Sequence, residues 1–302
     1  MHELKTRFVG IELSHPVMNA SGILGSEPEH IEILAGMGFA AVVTKTITPY
    51  PRRGNPMPIV IELPTGGLLN AVGLENPGKD AIPSLVSRAR SLGIPIIVSV
   101  GGTNPKEFAE VVEVCEKCSA NAVELNLSCP HARGYGLEIG ADPHNVKEVV
   151  RECVAVTRLP VIAKLGLCDR VVECAEKALE AGAKGLTLIN TVKAMVIDVY
   201  TAKPILSNVF GGLSGPPIHP IAVRVVYEVY RELRAEIAGC GGVYDWKTAA
   251  ELILAGAKVV QIGSAIYSDR GVVRKVLQGL RRWLQMLSLR SIEEAVGLAH
   301  KL

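Results

Sequence analysis

An amide and a thiol lie three residues apart at the predicted end of a buried strand. The sequence ELNLSCP occupies residues 124–130, where a hydrophobic run gives way to a loop rich in proline and glycine. Asn126 is predicted at the carboxyl end of the strand and Cys129 on the loop beyond it. In parallel α/β proteins this end carries the chemistry. A thiol can react there as a thiolate; the alternative is that Cys129 only packs.

Polar side chains also follow the other predicted strands. They are Asn19, Ser21, Lys45, Thr46, Ser99, Lys164, Asn190, Thr191 and Ser264. A lysine or an amide in an apolar run is costly to bury unless it meets a partner or a ligand. If these strand ends meet at one mouth, the sequence predicts a polar ligand site. For Lys45 and Lys164, ordinary salt bridges within a barrel are the alternative.

Glycines follow the seventh and eighth predicted strands. Gly241-Gly242 and Gly263-Ser264 come where barrel proteins commonly hold a phosphate on backbone N–H groups. We therefore expect a phosphorylated ligand. The alternative is that these glycines only form tight turns.

Eight short, β-branched strands alternate with amphipathic helices along the 302 residues. The strands are predicted at residues 16–20, 41–45, 96–100, 122–126, 161–165, 185–190, 236–239 and 259–263. This pattern favours an α/β fold of the (β/α)₈ TIM-barrel type, whose core is about 250 residues. An open doubly wound sheet is the alternative.

Three further segments complete the predicted architecture. Residues 8–13 resemble an N-terminal β-hairpin that plugs the bottom of the barrel. Residues 49–76 and 192–217 predict extended loops at the C-terminal face of the strands, where lids or partner surfaces usually lie. Because no linker or low-complexity stretch interrupts the chain, we expect residues 1–302 to form a single domain.

Composition argues against several classes of partner. No apolar run approaches the roughly 20 residues of a membrane span, and the N-terminus has mixed charge without an apolar leader. We therefore expect a cytoplasmic protein. The net charge is +2 with both signs interspersed, so neither nucleic-acid nor membrane binding is expected.

The seven cysteines are scattered along the chain. An odd count without an export signal argues against a disulfide framework. Cys115 and Cys118 have CxxC spacing, but they fall in a helical pattern without a second pair nearby. The sequence therefore predicts no metal site and no iron–sulfur centre on this chain.

Several motifs together resemble one family. They are NASG at residues 19–22, TKT at 44–46, LNAVGLENPG at 69–78, NLSCP at 126–130, LINT at 188–191, GGLSGP at 211–216 and GGV at 241–243. In this order, over nearly the whole chain, they are similar to class 1 dihydroorotate dehydrogenases. A cysteine at position 129 matches class 1, because the membrane-linked class 2 enzymes carry serine in that role.

The resemblance implies a flavoenzyme that oxidises (S)-dihydroorotate to orotate in de novo pyrimidine biosynthesis, with FMN as the hydride acceptor and Cys129 as the general base. The FMN-binding residues that it implies are Ala20, Ser21, Lys45, Asn126, Lys164, Ile189, Gly215, Gly241, Gly242, Gly263 and Ser264. The implied substrate-binding residues are Lys45, Asn70, Ala71, Val72, Gly73, Leu74, Asn126, Asn190 and Thr191.

Three places depart from the family pattern, one of them being residues 164–169, which replace a Pro-Asn turn after strand five. Ser99 ends the third strand where the family usually has asparagine, and we expect this shorter side chain either to lose a flavin contact or to reach the flavin through water. His131 follows the Cys129-Pro130 pair where asparagine is common. It either tunes the base or faces solvent as an ordinary loop histidine.

The electron acceptor is left open by the sequence. Residues 190–191 and 211–220 look closer to the B subtype, whose catalytic chain pairs with a subunit carrying FAD and a 2Fe-2S cluster and so reaches NAD. We expect this chain to form a homodimer, with a heterotetramer as the alternative if that partner subunit is present. The A subtype, a homodimer that uses fumarate, and a form with another acceptor are the alternatives.

Other functions remain open beside this one. A tRNA dihydrouridine synthase would share an FMN barrel and a loop cysteine, but would need a basic RNA-binding face. An enzyme like dihydropyrimidine dehydrogenase would not need a lysine for a substrate carboxylate. A flavin-free phosphate-binding barrel would use the glycines without Lys45 and Lys164.

Overall fold

The computed structural model describes residues 3–64, 66–128 and 140–301, and it begins with the hairpin that the sequence predicts. Strand β1 (Thr6–Phe8) pairs antiparallel with β2 (Ile11–Leu13). Phe8, Val9 and Leu13 are buried against apolar side chains from the barrel strands. The hairpin thus closes the floor of the barrel.

Eight parallel strands form the central sheet. They are β3 (Val17–Asn19), β4 (Val42–Val43), β7 (Ile96–Val100), β8 (Ala122–Asn126), β9 (Val161–Leu165), β10 (Gly185–Leu188), β15 (Ile237–Cys240) and β16 (Val259–Ile262). Their spatial order is β3-β16-β15-β10-β9-β8-β7-β4. The predicted TIM barrel is confirmed, and all eight predicted strands lie within one or two residues of their expected positions. The open-sheet alternative is wrong.

A side chain joins β3 to β4, the two strands at the ends of that order. The Asn19 amide donates to the carbonyl oxygen of Val43 (2.7 Å) and accepts from its backbone N–H (2.8 Å). The backbone N–H of Ala40 also donates to Val17 (3.0 Å). Asn19 is fully buried, so its amide takes the place of the strand pairing that would close the barrel.

Replacing Asn19 by alanine is expected to lower the free energy of unfolding by about 2–6 kcal/mol, because two buried backbone groups lose their partner at roughly 1–3 kcal/mol each. Denaturant unfolding measures this. The matched control is Asn104→Ala, which removes one exposed helix-cap hydrogen bond and is expected to cost about 1 kcal/mol. Equal losses in the two variants would contradict a closing role for Asn19.

Nine α-helices, among the described residues, flank the strands. They are α1 (Pro28–Gly36), α2 (Ile82–Ser91), α3 (Pro105–Cys118), α4 (Pro143–Ala155), α5 (Val171–Glu180), α6 (His219–Leu233), α7 (Trp246–Ala255), α8 (Ala265–Ser268) and α9 (Val272–Met286). Short 3₁₀ helices span Lys79–Ala81, Pro216–Ile218, Ile292–Ala295 and Leu298–His300. The valine- and alanine-rich faces of the α-helices pack on the outside of the sheet. Within the part of the chain that is described, no helix has the length and apolar character to cross a bilayer.

The two long excursions combine into one structure above the barrel. Strands β5 (Val60–Glu62) and β6 (Leu68–Asn70) come from the first, and β11 (Val192–Ala194) and β14 (Gly211–Ser214) from the second. They form an antiparallel sheet in the order β11-β14-β6-β5. A smaller pair, β12 (Ile197–Asp198) and β13 (Lys203–Pro204), extends the second excursion. We call the four-stranded sheet the lid sheet.

Candidate active site

A cavity of about 350 Å³ lies between the carboxyl ends of the barrel strands and the lid sheet. This volume is in the range of small-molecule sites, roughly 300–1,000 Å³. The predicted site residues that line it are Ala20, Ser21, Lys45, Asn70, Val72, Gly73, Leu74, Asn126, Lys164, Ile189, Asn190, Thr191, Gly215, Gly241, Gly242, Gly263 and Ser264. Residues from the ends of seven barrel strands, all except β7, and from both excursions therefore meet around one space.

Two predicted site residues that the structure describes are not part of this lining. Ser99 is buried behind Thr46, and the two hydroxyl oxygens are 3.0 Å apart. Ala71 is buried with Leu69 and Leu206 inside the lid structure. Cys129 belongs to residues 129–139, which lie outside the described residues, as does His131.

Two amides are held side by side in the cavity wall. The Asn190 side-chain amide donates to Asn126 Oδ1 (3.2 Å) and to Ser128 Oγ (3.0 Å). Ser128 Oγ in turn donates to the backbone carbonyl of Lys164 (3.3 Å). Because each amide carries both donors and an acceptor, this pair can recognise a planar ligand edge. Ser128 directly precedes the loop position of Cys129.

Thr46, which the sequence predicts at a strand end but which the family resemblance does not assign to the site, connects several of these residues. Its hydroxyl oxygen accepts from the Asn126 amide (2.9 Å) and lies 3.4 Å from Ser21 Oγ. Together with the Ser99 contact, these bonds fix the orientation of Asn126. The signal in the sequence was a hydroxyl residue directly after Lys45 at a strand end.

The Lys45 ammonium points into the cavity and faces a carboxylate. Its Nζ lies 3.7 Å from Glu75 Oε2, and the side chains are 16% and 59% exposed, respectively. Burial lowers the pKa of Lys45, and Glu75 partly opposes that effect. The neighbouring Asn76 side chain accepts from the backbone N–H groups of Thr48 (3.1 Å) and Gly78 (2.9 Å), which fixes the chain beside Glu75. An anionic ligand could therefore replace an exposed counter-ion at Lys45.

A second ammonium, that of Lys164, is buried in the wall. Its Nζ lies 3.5 Å from Glu124 Oε1, and both side chains are almost fully buried. Burial by itself would lower the pKa of Lys164, but the Glu124 carboxylate and the Cys240 thiol raise it, and the net direction is upward. Lys164 therefore stays positively charged in the cavity wall. Glu124 was missed by the site prediction.

Bare backbone forms the far end of the cavity. Gly242 has φ of +68°, and a Cβ there would lie 2.7 Å from Gly215 O and from His219 Cβ. His219 Nδ1 donates to the carbonyl oxygen of Gly241 (2.9 Å), while its Nε2 lies 2.9 Å from Glu251 Oε2. Only glycine fits this close approach. Backbone N–H groups at a glycine-lined wall of this kind suit a phosphate.

Comparisons with known proteins agree with this arrangement. A family model described as "Dihydroorotate dehydrogenase" matches residues 3–284. A protein of Aeropyrum pernix named "Putative dihydroorotate dehydrogenase A (fumarate)" is 50% identical over 301 residues, covering 99% of this chain and 98% of that protein. Two proteins named "Dihydroorotate dehydrogenase B (NAD(+)), catalytic subunit" are also similar. The one from Pyrococcus furiosus is 45% identical over 99% of both chains, and the one from Thermoplasma volcanium is 44% identical over 100% of both.

Proposed function

Because the chain belongs to the dihydroorotate dehydrogenase family, we propose that it oxidises (S)-dihydroorotate to orotate in pyrimidine biosynthesis. One observation supports placing this reaction in the cavity. A lysine with an exposed counter-ion, a pair of amides, a buried ammonium and a glycine-lined end all meet in one space. These groups match the carboxylate and ring of the substrate and the ring and phosphate of FMN, on which the family depends.

The residues of the cavity fit FMN. Lys164 offers a buried positive charge to an electron-rich ring, and the bare backbone at Gly241 and Gly242 leaves room for a phosphate. The residues proposed to hold FMN are Ala20, Ser21, Lys45, Asn126, Lys164, Ile189, Gly215, Gly241, Gly242, Gly263 and Ser264, with Ser99 acting through Thr46. When bound, FMN supplies the hydride acceptor.

The substrate is proposed to lie between Lys45 and the paired amides. The Lys45 ammonium would bind the carboxylate in place of Glu75, and Asn126 and Asn190 would hydrogen-bond the polar edges of the pyrimidine. The remaining proposed contacts come from Asn70, Ala71, Val72, Gly73, Leu74 and Thr191. Ala71 faces the lid interior, so its proposed contribution is limited to its backbone.

Cys129 is proposed as the general base. Oxidation of a C–C bond beside a carbonyl requires loss of a proton from one carbon and of a hydride from the next. A base must therefore face the ring from the side opposite the hydride acceptor. A thiol, with an ordinary pKa of about 8.5, can take this proton when nearby cations favour its thiolate. The Asn190 bond to Ser128 supports the proposal, because it fixes the chain one residue before Cys129.

NAD, reached through a partner subunit that carries FAD and a 2Fe-2S cluster, is the proposed electron acceptor. The names of the Pyrococcus and Thermoplasma relatives support it, whereas the name of the Aeropyrum relative supports fumarate. We expect the purified chain alone to turn over with an artificial dye and with neither NAD nor fumarate. Fumarate-dependent turnover by the chain alone, as a homodimer, would overturn the NAD proposal in favour of the A-type reaction.

Substrate selectivity separates this function from the other flavin enzymes considered. In a dye-linked assay, we expect kcat/KM for dihydroorotate to exceed that for dihydrouracil by at least about 10²-fold, because a site built to bind a polar group rejects the analogue that lacks it. Comparable values for the two substrates would favour a dihydropyrimidine-oxidising enzyme. Reduction of tRNA uridines would favour a dihydrouridine synthase.

A further inference from the structure

A cluster of buried polar side chains lies inside the barrel beneath the cavity. Glu124 on β8 is its centre, with no exposed surface. Thr187 on β10 donates to Glu124 Oε2 (2.7 Å), and the Gln261 amide on β16 donates to the same oxygen (2.9 Å). Lys164 on β9 lies 3.5 Å from the other oxygen, Oε1. Side chains from three other strands therefore converge on one carboxylate.

The two oxygens of this carboxylate have different surroundings. Oε2 accepts two hydrogen bonds from neutral groups, which fix the plane of the carboxylate. Among the residues that the structure describes, Oε1 accepts no hydrogen bond and has the Lys164 ammonium as its nearest charge. Thr187 and Gln261 therefore hold the carboxylate so that Oε1 faces the Lys164 ammonium.

Stability alone does not account for a charged pair at this depth. Replacing a buried ion pair with apolar side chains of similar volume is often neutral or stabilising, whereas removing one partner leaves an unpaired charge. The rest of the barrel interior shows that apolar side chains can fill such space. Lys164 also borders the cavity, so its charge reaches any ligand bound there.

We propose that Glu124 is a positioning residue that keeps Lys164 charged and directed at the bound flavin, and thereby sets how strongly the site favours the reduced flavin. This inference rests on the proposed function. Reduced FMN carries more negative charge on its ring than oxidised FMN, so a fixed ammonium beside the ring binds it preferentially. Glu124 does not touch the cavity and acts only through Lys164.

The titratable groups that face Lys164 are few in the described part of the chain. Glu124 contributes from β8, and the Cys240 thiol contributes from β15. Burial and the charge of Glu124 both raise the pKa of Cys240, while Lys164 lowers it, and the net direction is upward. A neutral thiol cannot replace the carboxylate. Without Glu124, no carboxylate opposes the effect of burial, which lowers the pKa of Lys164. Buried lysines can lose their proton near neutral pH.

The test compares Glu124→Gln with wild type and with Thr187→Val, which removes one hydrogen bond to the same carboxylate and leaves both charges. The midpoint potential of bound FMN is measured from about pH 6 to about pH 9.5, and the dissociation constant of FMN is measured by reconstituting the apoprotein. For Glu124→Gln we expect the preference for reduced over oxidised FMN to fall at least tenfold relative to wild type as pH rises through this range. Tenfold corresponds to about 30 mV for a two-electron couple.

The midpoint potential of FMN bound to Thr187→Val is expected to run parallel to that of wild type across the pH range. A Glu124→Gln profile that also runs parallel would overturn the inference, because a purely structural role does not add a titration. If Glu124→Gln does not fold, Glu124→Asp carries the test, since it withdraws the charge by one methylene. For Glu124→Asp we expect the same fall in the preference for reduced over oxidised FMN at the higher pH values of the range. A pH profile that is unchanged from wild type would overturn the inference. Wild-type protein that binds no FMN would instead defeat the proposed function itself.

Discussion

Replacing Cys129 by alanine is expected to slow the reduction of bound FMN by dihydroorotate about 10²- to 10⁴-fold, the usual contribution of a positioned general base. The variant keeps the amide pair, the two lysines and the glycine-lined end. Orotate and FMN should therefore bind with little change in affinity. Anaerobic stopped-flow spectroscopy measures the rate of the half-reaction directly, and titration of the flavin spectrum with orotate measures the affinity.

Two other variants sharpen this expectation. Cys129→Ser places a weaker acid at the same position, so we expect a rate between those of alanine and wild type that rises with pH. Cys168→Ala removes a thiol that does not line the cavity and should leave the rate unchanged. A Cys129→Ala protein that reduces its flavin at the wild-type rate would exclude Cys129 as the base.

Replacing Lys45 by methionine is expected to weaken orotate binding and raise the KM for dihydroorotate by about 10- to 100-fold. The loss follows from a charge-assisted hydrogen bond worth roughly 1.5–3 kcal/mol. Methionine keeps most of the apolar stem. The dissociation constant of orotate, read from the flavin spectrum, is the measurement. Unchanged affinity would contradict the assignment of the carboxylate to Lys45.

Glu75→Gln is the matched variant, for which we expect the opposite change in orotate affinity. It removes the carboxylate 3.7 Å from Lys45, so orotate should bind about two- to five-fold tighter at neutral pH, the value of a partly exposed ion pair. On the proposed assignment, orotate binding needs a charged Lys45, so we expect affinity to fall as pH rises through the lowered pKa of that residue. Because Glu75 raises this pKa, the fall should begin at lower pH in Glu75→Gln. Affinity equal to or weaker than that of wild type would contradict competition by Glu75.

The barrel could be predicted from the sequence because its signals are local. Each strand is a short β-branched run next to a glycine or proline turn, and the hairpin at residues 8–13 shows the same pattern. The lid sheet could not be predicted. It depends on pairing Leu69 with Leu213, which are far apart in the chain, and no local pattern encodes that partnership. Two separate loops were expected where one sheet exists.

The cavity lining could be predicted where a polar residue ends a strand. Residues that reach the cavity only through another side chain were not predicted in this way. Glu124 has the same costly position in an apolar strand as Lys164, and applying the same reasoning to it would have identified the pair. Ser99 ends its strand as expected, yet Thr46 stands between it and the cavity. Such layering depends on side-chain direction, which the position of a residue in a strand does not determine.

The central claim is most directly tested by the visible spectrum of the purified chain before and after anaerobic addition of dihydroorotate. We expect flavin absorbance that bleaches with dihydroorotate and stays unbleached with dihydrouracil. A colourless protein that cannot be reconstituted with FMN would contradict the account. A flavin that dihydrouracil reduces and dihydroorotate does not would contradict it as well.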